Sequence, residues 1–161
     1  MRPPARFLLL LLVLGFVAGC APSMLSSSSR EWAKGKVAGP EAFARPADYE
    51  GERYILGGVI LGVRQEPGQA TLRLLAYPLD RSLYPETDKS SLGVVTVLWS
   101  GGPLSTLFIP GNRLTVVGTI LSSPGRTPLR LRARALSPDT CLPAGGFACH
   151  RTGAGCLCKN Y

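Results

Sequence analysis

Apolar and polar positions begin to alternate at about Arg53 and continue in five stretches to Leu136. Tyr54-Ile55-Leu56-Gly57-Gly58-Val59-Ile60-Leu61-Gly62-Val63 is rich in β-branched and apolar residues, which favour a pleated surface, and its glycines suit a bulge or sharp coil in a long strand. Glu66-Pro67-Gly68-Gln69 supplies a turn, and Thr71 to Tyr77 follows as a second strand. Leu72, Leu74 and Ala76 fall on one side of it, and Thr71, Arg73, Leu75 and Tyr77 on the other. Pro78 to Ser91 is a loop, Leu92 to Trp99 a third strand, and Gly101-Gly102-Pro103 its stop. Leu104 to Ile109 suits either a helical turn or a strand. Pro110-Gly111-Asn112 turns the chain into Arg113 to Leu121, the clearest strand, and Ser123-Pro124-Gly125-Arg126 leads to the last, Leu129 to Leu136. Strands separated by turns, with a longer connection between the third and fourth, predict an all-β fold. The best match is a small five- to six-stranded antiparallel OB-like barrel, with a β-sandwich as the alternative.

Ahead of the strands the pattern differs. Phe7 to Ala18 is continuously apolar, follows Arg2 and Arg6, and ends in Val17-Ala18-Gly19-Cys20. Residues 7–18 would make only about 18 Å of helix, short of the roughly 30 Å hydrocarbon core, so the layout is that of an export signal rather than a transmembrane helix. The small residues before Cys20 resemble a bacterial lipobox. Gly19 and Ala18 leave the backbone thin enough for a peptidase cleft, and the Cys20 thiol is the soft nucleophile that can form a thioether with a diacylglyceryl group. Cleavage between Gly19 and Cys20, with the freed amine acylated, for instance by palmitate, would give two or three chains and near-permanent anchorage. The alternative is an ordinary secretory signal with a coincidental cysteine.

Ala21-Pro22-Ser23 and Ser26-Ser27-Ser28-Ser29 read as a polar tether. Trp32 to Tyr49, broken by Gly39, Pro40 and Pro46, admits only short helical turns. The expected organisation is a signal peptide over 1–19, a lipidated cysteine and flexible tether over 20–39, a β domain over 40–138, and a cysteine-rich tail outside the core over 139–161. The formal net charge of +8 becomes +6 once Arg2 and Arg6 leave with the signal. A basic envelope domain suits anionic lipid or lipopolysaccharide, and export disfavours nucleic acid as a partner.

Cys141, Cys149, Cys156 and Cys158 crowd the last stretch. In an oxidising compartment they suggest up to two disulfides, with three pairings open. His150 beside them raises a metal reading, but the spacing is poor for tetrahedral zinc, and no metal or cofactor is expected. With His150 the only histidine, no catalytic constellation is visible and an enzyme is not expected. Asp80 in Tyr77-Pro78-Leu79-Asp80-Arg81 reads as a turn residue whose carboxylate accepts backbone hydrogen bonds. The alternative function is an anion- or glycan-binding OB-like module for lipopolysaccharide or oligosaccharide, in which Tyr77, Tyr84 and Trp99 are candidate stacking residues, or else core and loop anchors. Arg130, Arg132 and Arg134 alternate with Leu129, Leu131, Ala133 and Ala135, which places three guanidinium groups on one strand face. They are candidate anion-binding residues, but a charged edge that resists pairing is the favoured reading.

Tyr49-x-Gly51 before Gly57-Gly58-Val59-Ile60, then Tyr77-Pro78-Leu79-Asp80, then Pro110-Gly111-Asn112-Arg113-Leu114-Thr115-Val116-Val117-Gly118, all behind a lipobox, resemble the Slp family of outer-membrane, starvation-inducible lipoproteins of Gram-negative bacteria. The likeness runs from about Pro40 to Leu136; Cys141 to Tyr161 is foreign to the pattern, as a shifted reading frame would make it. The resemblance implies a lipid-anchored protein facing the periplasm, with a structural or interaction role in the cell envelope and no catalytic residues. Its partners would be membrane lipid, through acylated Cys20, and the lipoprotein processing and sorting machinery. Ala21, where an aspartate would favour retention in the inner membrane, favours the outer membrane, with the periplasmic face of the inner membrane as the alternative.

Overall fold

A computed structural model describes residues 24–121 and 128–139 in full, and the backbone of 148–152 and 155–159. Five strands form a closed barrel in the order β1-β2-β3-β5-β4: β1 Arg53–Glu66, β2 Gln69–Tyr77, β3 Gly93–Trp99, β4 Arg113–Leu121 and β5 Leu129–Pro138. The all-β barrel read from the alternation is therefore present. Four of the five pairings are antiparallel, while β3 and β5 run parallel, with Val95 opposite Leu129 and Leu98 opposite Arg132. The connection over residues 100–112 reverses the usual neighbour order, so β5 closes on β3 and not only on β4. Leu104 to Ile109 forms neither helix nor strand; Leu104 and Phe108 instead pack on the core.

β1 is long because it serves both halves of the barrel. Its first half pairs with β4 from Arg53 to Val59, its second with β2 from Gly57 to Glu66, and a bulge lies between Ile60 and Gly62. Glycine is required where strands crowd. A methyl at Gly58 would collide with the Leu75 carbonyl, and one at Gly118 with the Arg132 carbonyl beside the β4–β5 bulge.

Inward positions make one core: Leu56, Ile60, Leu72, Leu74, Val95, Val97, Leu114, Val116, Ile120 and Leu131 are all essentially inaccessible. Helix α2, Pro40–Ala44, and the 3-10 turn Pro46–Tyr49 cover one end of the barrel, with Ala42 buried and Phe43 and Tyr49 packed against the core.

The segment before α2 departs from expectation. Residues 24–39 do not form a flexible tether: Ser26 caps a short helix α1, Ser27–Trp32, and Met24, Leu25 and Ala33 around it are buried. They meet Ile55, Leu83 and Val117 on the outside of the barrel, forming a second, smaller core. Lys36 and Ala38 then exchange backbone bonds with Ile55 at 2.8 Å each, covering the edge of β1 that β2 does not reach. The serine run reads as inert because its apolar partners are few and lie far away in sequence.

The tail contributes β6 Ala148–Thr152 and β7 Gly155–Lys159, an antiparallel pair separate from the barrel sheet. Such a hairpin can form by local pairing and needs no alternating apolar face to announce it.

Candidate functional site

The outward side of the barrel divides into a covered region and a bare one. Over β1 and β4 the outward residues Ile55, Thr115 and Val117 are buried beneath the N-terminal segment. Thr115 donates from Oγ1 to the Leu83 carbonyl at 2.7 Å and meets the Met24 sulfur at 3.3 Å; Ser137 donates to the Met24 carbonyl, and Met24 N–H to the Ser82 carbonyl at 3.1 Å. Over β2, β3 and the first half of β5 nothing among the described residues covers the wall. Strict alternation there buries Leu129, Leu131 and Ala133 and exposes Arg130, Arg132 and Arg134.

The structure splits that arginine trio. Arg134 is the extra residue at the β4–β5 bulge, and its guanidinium lies 5.1 Å from the Trp32 ring, which Arg53 also approaches at 4.7 Å. This pair of cation–π contacts fastens α1 to the barrel. The guanidinium groups of Arg130 and Arg132 make no ion pair or hydrogen bond among the described residues. They have a companion that sequence reading did not connect with them: Arg73 on β2 is opposite Thr96 on β3, and Thr96 is opposite Arg130. The three share one row, which puts Arg73 about 10 Å from Arg130 at the usual interstrand spacing. In the neighbouring row Leu98, Arg132, Thr119 and Arg53 follow one another. β2, β3 and β5 contain no carboxylate. The ion pairs among the described residues lie elsewhere: Lys36–Glu52, Arg45–Asp48, Arg64–Glu66 and Lys89–Glu86.

This placement corrects one expectation. β5 is hydrogen-bonded on both sides, to β3 and to β4, so its arginines do not guard an open edge. Arg73 was legible as an outward residue of β2; its relation to Arg130 was not, because the parallel β3–β5 pairing that joins the two strands leaves no mark in local alternation.

Other candidates resolve simply. Asp80 is the turn residue expected, its Oδ1 accepting the backbone N–H groups of Ser82 at 2.8 Å and Tyr84 at 2.9 Å. Tyr77 and Trp99 sit at opposite ends of the sheet, opposite Gly57 and next to Ala70 respectively, about 23 Å apart along β2. Trp99 is tied by its indole N–H to the Gly102 carbonyl at 2.9 Å, and Tyr84 packs in the outer core. The three aromatic rings do not come together as a stacking platform. Among the described residues no group of three His, Cys, Asp or Glu is placed to hold a metal, and no helix is long and apolar enough to cross a membrane.

Gly19, Cys20 and Cys141 lie outside the described residues. Of the tail only the backbone is described for Cys149, His150, Cys156 and Cys158; Cys149 is the register partner of Cys158, and Cys156 that of Arg151.

A family model described as "Outer membrane lipoprotein Slp family" matches residues 17–126. No curated protein matches the chain. Among solved structures the chain is similar to an OBody, AM1L10, bound to hen egg-white lysozyme, with a TM-score of 0.43, 8% identity, and 64% of this chain and 92% of that chain covered. It is also similar to the aspartyl tRNA synthetase from Entamoeba histolytica, with a TM-score of 0.44, 12% identity, and coverage of 76% of this chain and 26% of that one. At such scores neither likeness carries any functional argument.

Proposed function

The chain belongs to the outer membrane lipoprotein Slp family, and from that premise we propose that it is anchored through lipidated Cys20 and presents its barrel to the periplasm as a structural or interaction module without catalysis. The observation that carries this reading is the span of the family match. It begins at residue 17, so it takes in Val17-Ala18-Gly19-Cys20 together with the barrel through β4. Cleavage before Cys20 and acylation there would supply the two or three chains that durable anchoring needs. Residues 1–19 act as the signal peptide, 40–138 as the barrel domain and 139–161 as a tail outside its core. Ala21 directs the protein to the outer membrane. The Cys20→Ala variant tests the anchor: it should accumulate as an uncleaved, unlipidated precursor, and normal maturation and normal outer-membrane fractionation of that variant would contradict the reading.

A second reading is favoured by one observation, the bare wall that carries Arg73, Arg130 and Arg132 without a carboxylate. Guanidinium groups fit phosphate oxygens bidentately, so the barrel is an anion-binding module for phosphate-bearing envelope components. Binding of lipopolysaccharide that weakens across a salt series supports it; no binding at low salt would leave the structural role alone.

A further inference from the structure

We propose that the barrel rests on the leaflet that anchors it by its β1–β4 side, with Leu61 and Ile109 entering the boundary between headgroups and acyl chains. The proposal rests on lipidation at Cys20 and adds the orientation of the barrel, which leaves the wall of Arg73, Arg130 and Arg132 turned away from that leaflet.

Two independent observations support it. The first is where the anchored segment ends. Met24 is the first described residue, and it is held on the β1–β4 side by Ser82, Thr115 and Ser137. Trp32 meets Arg53, which is opposite Thr119, whereas Met24 meets Thr115. Followed backwards from Trp32, the chain thus runs along β4 towards its first residue, Arg113. Cys20 precedes Met24 by four residue steps, which span about 14 Å at most when fully extended. The serines that could have lengthened this tether, Ser26 to Ser29, belong to the docked segment. A lipidated Cys20 therefore holds this side close to the leaflet, and β3, which borders neither β1 nor β4, lies on the far side of the closed barrel.

The second is the placement of exposed apolar groups. Among the described residues the exposed large apolar side chains are Val37, Leu61 at 44% and Ile109 at 51%, and each stands on β1 or on a segment bonded to it. Val37 is bridged to Ile55. Leu61 lies at the β1 bulge, next to Ile60, which donates to the Asn112 carbonyl at 2.9 Å and accepts from the Gly111 N–H at 2.8 Å. Ile109 begins the turn that Asn112 closes: its carbonyl accepts the Asn112 N–H at 3.2 Å, and Asn112 Nδ2 donates to the Leu107 carbonyl at 2.7 Å. With Phe108 packed on the core, this pinned turn leaves Ile109 facing outward. Leu61 is four residues along β1 from Gly57, the register partner of Thr115, or about 13 Å, a span that the tether matches. Apolar side chains beside a lipid anchor leave water by entering the interface, which favours this side over the bare wall.

The test uses the full chain, matured in a Gram-negative host, purified in detergent and reconstituted in phosphatidylcholine vesicles that contain a lipid with a diazirine on its acyl chain. Illumination expels dinitrogen from the diazirine and leaves a carbene, which inserts into side chains that reach the acyl region; peptide mass spectrometry locates the adducts. Adducts should concentrate at Leu61 and Ile109 and be absent from Leu98 and Arg130 on the far wall. The Leu61→Asp, Ile109→Asp double variant should lose the adducts at this end while keeping its lipid, because a carboxylate is costly at that depth. Adducts spread evenly, concentrated elsewhere on the barrel, absent from it or unchanged in the variant, in protein whose intact mass shows the lipid, would overturn the orientation and leave the anchor intact. A mass without lipid overturns the anchor reading, and with it the argument from the tether.

Discussion

Leu131 and Arg132 are neighbours in sequence and opposite in fate: one is fully buried inside the barrel, the other exposed on the wall. The period of two along a strand makes that division legible from residue types alone, as it does for Leu72, Leu74 and Ala76 against Arg73. Leu131→Ala removes a side chain from the closed core and should cost about 3 kcal/mol in urea denaturation, a typical value for a buried leucine that leaves a partly relaxed cavity. Tyr54 could not be read so directly. Burial, and then its hydrogen bond with Glu52, push the phenol up to about 12, above the ordinary value of about 10. The folded state keeps this proton over a range in which the unfolded state has lost it. The contribution to stability is therefore complete below about pH 10 and is lost as pH rises towards 12. Urea midpoints measured from pH 9 to 12 should fall less steeply in Tyr54→Phe than in the parent; identical slopes would contradict the assignment.

At the scale of elements, all five barrel strands were legible, because each is a run of alternating or β-branched residues bounded by proline and glycine. Two features were not. The parallel pairing of β3 with β5 is a tertiary choice that local patterning does not record. Helix α1 buries none of its own residues and is far shorter than a helix that stands alone in water, so its serines signal a loop. It persists because Met24, Leu25 and Ala33 flank it with buried apolar groups and Trp32 is gripped by Arg53 and Arg134. Met24→Ala should lower stability by about 2 kcal/mol, the lower end for a buried methionine. Backbone amide exchange should rise first in Ser27–Trp32 and leave Leu72–Leu74 protected. Uniform loss of protection across the chain would show that the outer core and the barrel unfold as one.

At the scale of the whole molecule, the candidate site was half legible: Arg130, Arg132 and Arg134 could be named from alternation, but the contribution of Arg73 required the barrel's closure, and the diversion of Arg134 to Trp32 required the β4–β5 bulge and the docking of α1. The strand pattern closes at β5, so a chain ending at Asp139 should keep a cooperative melt; a melt abolished by that truncation would make the tail part of the fold. The account turns on Cys20, because the attachment of the barrel to the membrane is assigned to that residue. Intact mass spectrometry of the protein extracted from the cell envelope tests this most directly. The account predicts a mature chain that begins at Cys20 and carries the added mass of a diacylglyceryl group and an N-acyl chain. A chain that retains residues 1–19, or begins elsewhere without lipid, would contradict it.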